Sequence, residues 1–157
     1  MSRPGAILAA RIRIDLPELA FLVERARQGW NKAKTLNDDY YLDGVALNLH
    51  GFYSGLEKIF EKIAATVDGS VPNAANWHQE LLSQMSMEIP EVRPAVISQE
   101  LRDMLEDYRG FRHVVRNVYT HLLNPEKIEL LITKIEPVLE KLTAEINAFA
   151  TFLQEAE

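Results

Sequence analysis

The residues best suited to chemistry crowd into one run, YRGFRHVVRNVYTHLLNP, Tyr108 to Pro125. It carries Arg109, Arg112, His113, Arg116, Asn117 and His121, with Tyr119 among them. Arginine offers a rigid fork of donors that matches phosphate oxygens. Histidine can move a proton near neutral pH. Together they suit phosphodiester transfer, in which a ribose 2′-hydroxyl attacks phosphorus and the charge developing there must be stabilised. Such chemistry needs no metal. The plainer alternative is a polar helix face whose histidines are satisfied by neighbours. Charge patterning argues against it, because no acid falls between Arg109 and Asn124. A solvated face of an acidic protein ordinarily mixes both signs.

The elements that must position this run follow from periodicity. No Gly or Pro interrupts Phe111 to Asn124, and Pro125 is a stop signal, so the run predicts the C-terminal half of a helix. On a helical projection Met104, Phe111, Val115, Val118 and Leu122 share an apolar side, and the arginines, histidines and Asn117 share the other. Apolar stripes predict helices over residues 15–36, 39–67, 98–124 and 125–153. Asp15, Ser98 and Asn124 are the expected caps. Residues 1–13, with Arg3, Arg11 and Arg13, read as a flexible basic arm or a frayed start. A short helix from Asn76 to about Met87 is an insert between the second and third long helices. Ile89 to Pro94 reads as extended, since each proline disfavours helix in the residue before it. Pro137 should kink the last helix. Gly44, Gly51 and Gly55 are candidates for close helix approach, or chance. The expected core includes Leu49, Phe52, Leu56, Val115, Val118, Leu131, Ile135 and Leu142. The fold class is therefore all-α: an antiparallel four-helix bundle with a short helical insert, one domain over residues 1–157.

Composition narrows the function. At 47% apolar residues, the 157-residue chain can bury a sizeable core and is not disordered. A net charge of −6 disfavours non-specific nucleic-acid binding, so any such role rests on a local basic patch. Residues 1–34 are themselves basic. Cysteine is absent, which excludes thiolate chemistry and fits a cytoplasmic protein. No apolar run approaches a membrane span, and Ala6 to Ala10 is too short for a signal peptide. Neither a metal nor a cofactor is expected. His50, His78, His113 and His121 show no metal-ligand spacing. Glu57 and Glu61, each beside a lysine, read as surface salt-bridge formers. His78, after Trp77, reads as a packing anchor with a partly exposed imidazole. Ser54 lacks the strand and glycine of a nucleophile elbow.

Arg116-Asn117-Val118-Tyr119-Thr120-His121 resembles the Arg-x-x-x-x-His signature of HEPN domains. Tyr40-Tyr41, Leu47-Asn48-Leu49-His50, Asn76-Trp77-His78 and Phe111-Arg112-His113 look like the HepT-like branch of that superfamily over residues 15–150. The resemblance implies a homodimeric bundle acting as a metal-independent ribonuclease toxin on an RNA substrate. It also implies a minimal nucleotidyltransferase as antitoxin. Two registers are open. From Arg116 the motif reaches His121, but Leu123 stands where such toxins carry a tyrosine that the partner modifies. From Arg112 it reaches Tyr119, but Asn117 stands at the histidine position. Arg112 and Arg116 would bind phosphate, His121 or His113 would be the acid/base, Asn117 would orient, and Tyr119 would be modified or stack. The motif ends lie about 140° apart on a helix, so closing a site calls for a second copy. A non-catalytic HEPN module that binds a nucleotidyltransferase or nucleotide is the alternative, and a purely structural dimerisation bundle is a third.

Overall fold

A computed structural model of the chain describes residues 2–117 and 123–156, with backbone alone at 116 and 117. The chain is all-α. Five helices are described: α1 (Arg3–Leu36), α2 (Tyr41–Ile63), α3 (Trp77–Met85), α4 (Gln99–Asn117) and α5 (Pro125–Glu155). No strand occurs among the described residues, only an isolated antiparallel bridge between Ile89 and Arg93.

The start of the chain departs from expectation. Residues 3–13 are neither arm nor frayed end but the first turns of α1. Ser2 caps it, its Oγ accepting from Gly5 N at 3.1 Å. Leu8, Ala9, Ile12 and Leu16 extend the apolar stripe backwards and are buried, and this burial offsets the break that Pro17 makes in the helix ladder. Arg13 bonds Asn147, Thr151 and Gln154 of α5, clamping the two helices together. Asp15 is no cap; its carboxylate faces Lys62 at 3.6 Å.

Helix α1 packs mainly on α2 and α5, α4 on α2 and α5, and α3 on α2 and α4. Glycine explains how close α1 and α2 come. A Cβ at Gly55 would lie 2.8 Å from Leu19 Cδ2, and one at Gly51 would lie 3.5 Å from Leu22 Cδ1. Gly44 is different: a Cβ there would meet nothing within 4 Å. Helix α2 ends earlier than expected and passes into a π-helical turn, Ala64–Asp68, closed by Gly69 at φ 72°. Asn76 begins α3 without a side-chain cap bond. Ser98 and Asn124 do cap: Ser98 Oγ accepts from Leu101 N at 3.1 Å, and Asn124 Oδ1 from Glu126 N at 2.9 Å. Helix α5 runs unbroken through Pro137.

Ile89 to Pro94 is not extended. It folds into a tight turn with Glu91 at φ 67°, closed by Ile89 N donating to Arg93 O at 3.0 Å. The cause is Arg93, whose side chain is fully buried. Its guanidinium pairs with both oxygens of Asp68 at 2.6 and 2.9 Å. It also donates to the carbonyls of Gln84, Met87 and Pro94. The turn gives way to the ion pair.

The buried side chains of all five helices join in one cluster. Leu49, Phe52, Leu56, Leu131, Ile135 and Leu142 are buried as expected. Val115 is only half-buried, and Val118 lies outside the described residues. No described helix is long and apolar enough to cross a membrane.

Candidate active site

The polar side of α4 does not stand alone. Arg109, expected to face outward without an acid, is bound by Glu106 one turn earlier, its Nε donating to Oε2 at 3.0 Å. That hydrogen bond raises the Arg109 pKa further, so it stays cationic throughout. Arg112 turns inward instead. Its Nε donates to Ser54 Oγ at 2.8 Å, and its Nη2 lies 3.9 Å from Glu57 Oε1. Only 15% of that side chain is exposed.

Glu57 is the hub. Expected at the surface beside Lys58, it is only 3% exposed. Neighbours one residue apart on a helix do not face each other, so Lys58 points to solvent while Glu57 points at α3 and α4. Its Oε2 sits 2.7 Å from His78 Nδ1. The His78 ring in turn stacks on Trp77, centroids 3.6 Å apart and planes 29° apart. The expected packing anchor thus also holds the carboxylate that faces Arg112. Buried Tyr53, one residue from Ser54, belongs to the same field. Burial pushes its phenol pKa well up, Glu57 adds to that, and Arg109 and Arg112 oppose it.

Three helices therefore converge: Tyr53, Ser54 and Glu57 from α2, His78 from α3, and Arg109 and Arg112 from α4. Sequence reasoning considers Ser54 and Glu57 but sets both aside, the first as no nucleophile and the second as a surface salt-bridge former. The signal it lacks is tertiary, since Ser54 and Arg112 are 58 residues apart. Among the expected site residues, His113 is exposed on α4, and Arg116 and Asn117 form the last described residues of that helix. Tyr119 and His121 lie outside the described residues. Among the described residues, no three His, Asp or Glu side chains gather as a metal site.

A family model described as HepT-like protein matches residues 44–153. The chain belongs to this HepT-like, HEPN-type family. Comparisons with curated proteins and with solved structures gave no match. In this HepT-like chain the matched span starts inside α2 and ends near the close of α5, so it contains the whole Glu57 hub and the arginine–histidine run. The hub fixes the surroundings of Arg112 alone, since the Arg116 side chain and His121 lie outside the described residues. Arg112 is engaged within its own chain by Ser54 and Glu57, whereas Arg116 lies one turn further along, toward His121.

Proposed function

We propose that this HepT-like chain is a metal-independent endoribonuclease, the toxin of a pair whose antitoxin is a minimal nucleotidyltransferase. The four long helices α1, α2, α4 and α5 form an antiparallel bundle with α3 as its insert. Two copies meet as a homodimer with their α4 helices near the two-fold axis. The observation that carries the reading is the internal engagement of Arg112 by Ser54 and Glu57. An arginine held that way positions α4 against α2, and supports assigning the chemistry to the Arg116 register.

In that register Arg116 pairs with the scissile phosphate, and Asn117 orients it. One His121 takes the proton of the ribose 2′-hydroxyl as its oxygen attacks phosphorus. The 5′-oxygen of the next nucleotide leaves and receives a proton from the imidazolium across the dimer. The product is a 2′,3′-cyclic phosphate. His113, exposed on the same helix, is the alternative acid/base, and Tyr119 is a stacking platform or a site for the partner's modification.

The test is cleavage of cellular RNA by the purified protein with excess EDTA, followed by analysis of the ends. Activity should survive the chelator, leave cyclic phosphate ends, and vanish in His121→Ala. A stable dimer that cleaves no RNA yet binds a nucleotidyltransferase tightly would replace this reading with a non-catalytic HEPN module.

A further inference from the structure

Away from the Glu57 hub, a cleft of about 380 Å³ opens between α1 and α2, lined by Arg25, Lys32, Tyr40, Tyr41, Asp43 and Gly44 among others. Its size falls within the range of about 300–1,000 Å³ common to small-molecule sites. Arg25 and Lys32 lie seven residues apart on α1, two turns along one face, and both are exposed. At its other wall stands Tyr40, 74% exposed, its ring edge-on to Tyr41 with centroids 6.3 Å apart. The backbone beneath it is held in the turn, where Tyr40 N donates to Asp38 Oδ1 at 3.0 Å.

Gly44 supplies an independent observation. A glycine inside a helix lowers stability by about 1 kcal/mol relative to alanine. Gly51 and Gly55 have a compensating reason, the close approach of α1. Gly44 has none: it lines the cleft, and an added Cβ would meet nothing within 4 Å. What a side chain at Gly44 would occupy is the cleft itself. Two cations, an exposed aromatic face and a wall kept bare of side chain are what a nucleoside phosphate needs: phosphate on the cations, base on the ring. The Asp43 carboxylate can accept from ribose hydroxyls, as carboxylates do in dinucleotide sites.

The placement fits an RNA path. The neighbouring hollow is lined by Asp38, Asp39 and Leu42 together with Pro125, Glu126 and Glu129. The α1–α2 turn therefore lies against the start of α5, the helix that follows the Arg116–His121 run in sequence. We infer that the α1–α2 cleft binds one nucleotide unit, its base stacked at Tyr40 and its phosphate held by Lys32 and Arg25. Its source is a single-stranded RNA engaged outside the scissile position, or a free nucleotide. The RNA source rests on the ribonuclease reading; the nucleotide chemistry does not.

The experiment is calorimetric binding of two probes to the full chain: adenosine 5′-monophosphate, and a short 2′-O-methylated single-stranded oligoribonucleotide. The second cannot be cleaved by 2′-hydroxyl attack, so binding is read apart from catalysis. The variants are Tyr40→Ala, Lys32→Ala and Gly44→Leu. Leucine at position 44 fills the cleft and favours helix, so its melting temperature should equal or exceed the wild type's. Each variant should weaken probe binding about tenfold, as loss of one stacked base or one phosphate contact does. Loss with both probes marks the cleft as a nucleotide site; loss with the oligonucleotide alone assigns it to RNA. If neither probe binds, or Gly44→Leu binds both like wild type, the inference is overturned. RNA cleavage by the same preparations reports separately on the ribonuclease reading.

Discussion

Two arginines each face a carboxylate of a distant helical segment, and they do different things. Arg93 is completely buried against an Asp68 that is 2% exposed, with two short bonds to the carboxylate and three more to backbone carbonyls. Arg112 is 15% exposed, bonds a serine, and keeps its nearest Glu57 oxygen at 3.9 Å. A buried guanidinium must have its donors satisfied, and where they are, it fixes geometry and little else. Arg93 ties the π-helical turn, the end of α3 and the following turn into one body. Arg112 joins a looser, largely buried network beside the motif. Completeness of the polar shell separates the two arginines: Arg93 has the fuller set of acceptors, and Arg112 the sparser one.

The largest consequence should come from Arg93. Arg93→Ala leaves the Asp68 charge buried without a partner, and should lower unfolding free energy by about 3–5 kcal/mol. Urea denaturation followed by circular dichroism measures it. Replacing both partners together, Arg93→Met with Asp68→Leu, should recover much of the loss. If Arg93→Ala unfolds like wild type, the contrast between the two arginines collapses.

Glu57 should come next. Glu57→Ala strips His78 and Arg112 of their shared acceptor, and should cost about 1–3 kcal/mol by the same measurement. RNA cleavage should drop more steeply than stability, because α4 loses the anchor that sets its distance from α2. Equal stability and activity in Glu57→Ala and wild type would reduce the hub to ordinary surface pairing.

A smaller effect concerns alkali. Burial raises the pKa of both Tyr53 and Tyr108, with Glu57 adding to it at Tyr53 and Asp107 at Tyr108. Their folded values therefore exceed the unfolded value of about 10. The resulting stability is intact below that pH and is lost as pH rises above it, since only the unfolded chain releases the protons. Unfolding midpoints measured from pH 8 to 11 should fall at the alkaline end, and Tyr53→Phe should make the fall shallower. An unchanged slope in Tyr53→Phe would place its phenol outside the linkage.

Much of this molecule was legible along the chain. The stripes of α2 and α5 and the caps Ser98 and Asn124 are local signals, set by a period of 3.6 residues and by orphan backbone donors. The start of α1 was not, because three arginines and Pro17 look like an arm until α5 supplies Asn147, Thr151 and Gln154 as partners. The turn at Ile89–Arg93 was hidden for the same reason: its determinant, Asp68, lies 25 residues away. At the candidate site the sequence drew attention to the polar face of α4, but it made Glu57 a surface acid, whereas that side chain is buried against His78 and Arg112. That assignment missed a pairing between helices, which no local pattern encodes.

The central claim is that Arg112 stations α4 while Arg116 meets the phosphate. It is tested most directly by measuring single-turnover RNA cleavage and the melting temperature on the same preparations of Arg112→Ala and Arg116→Ala. Arg116→Ala should melt like wild type and lose at least about a hundredfold in cleavage, as removal of a transition-state charge partner does. Arg112→Ala should melt several degrees lower and retain measurable cleavage below its melting temperature. An Arg116→Ala protein that cleaves RNA at the wild-type rate, beside an Arg112→Ala protein that melts like wild type and does not cleave, would contradict the account.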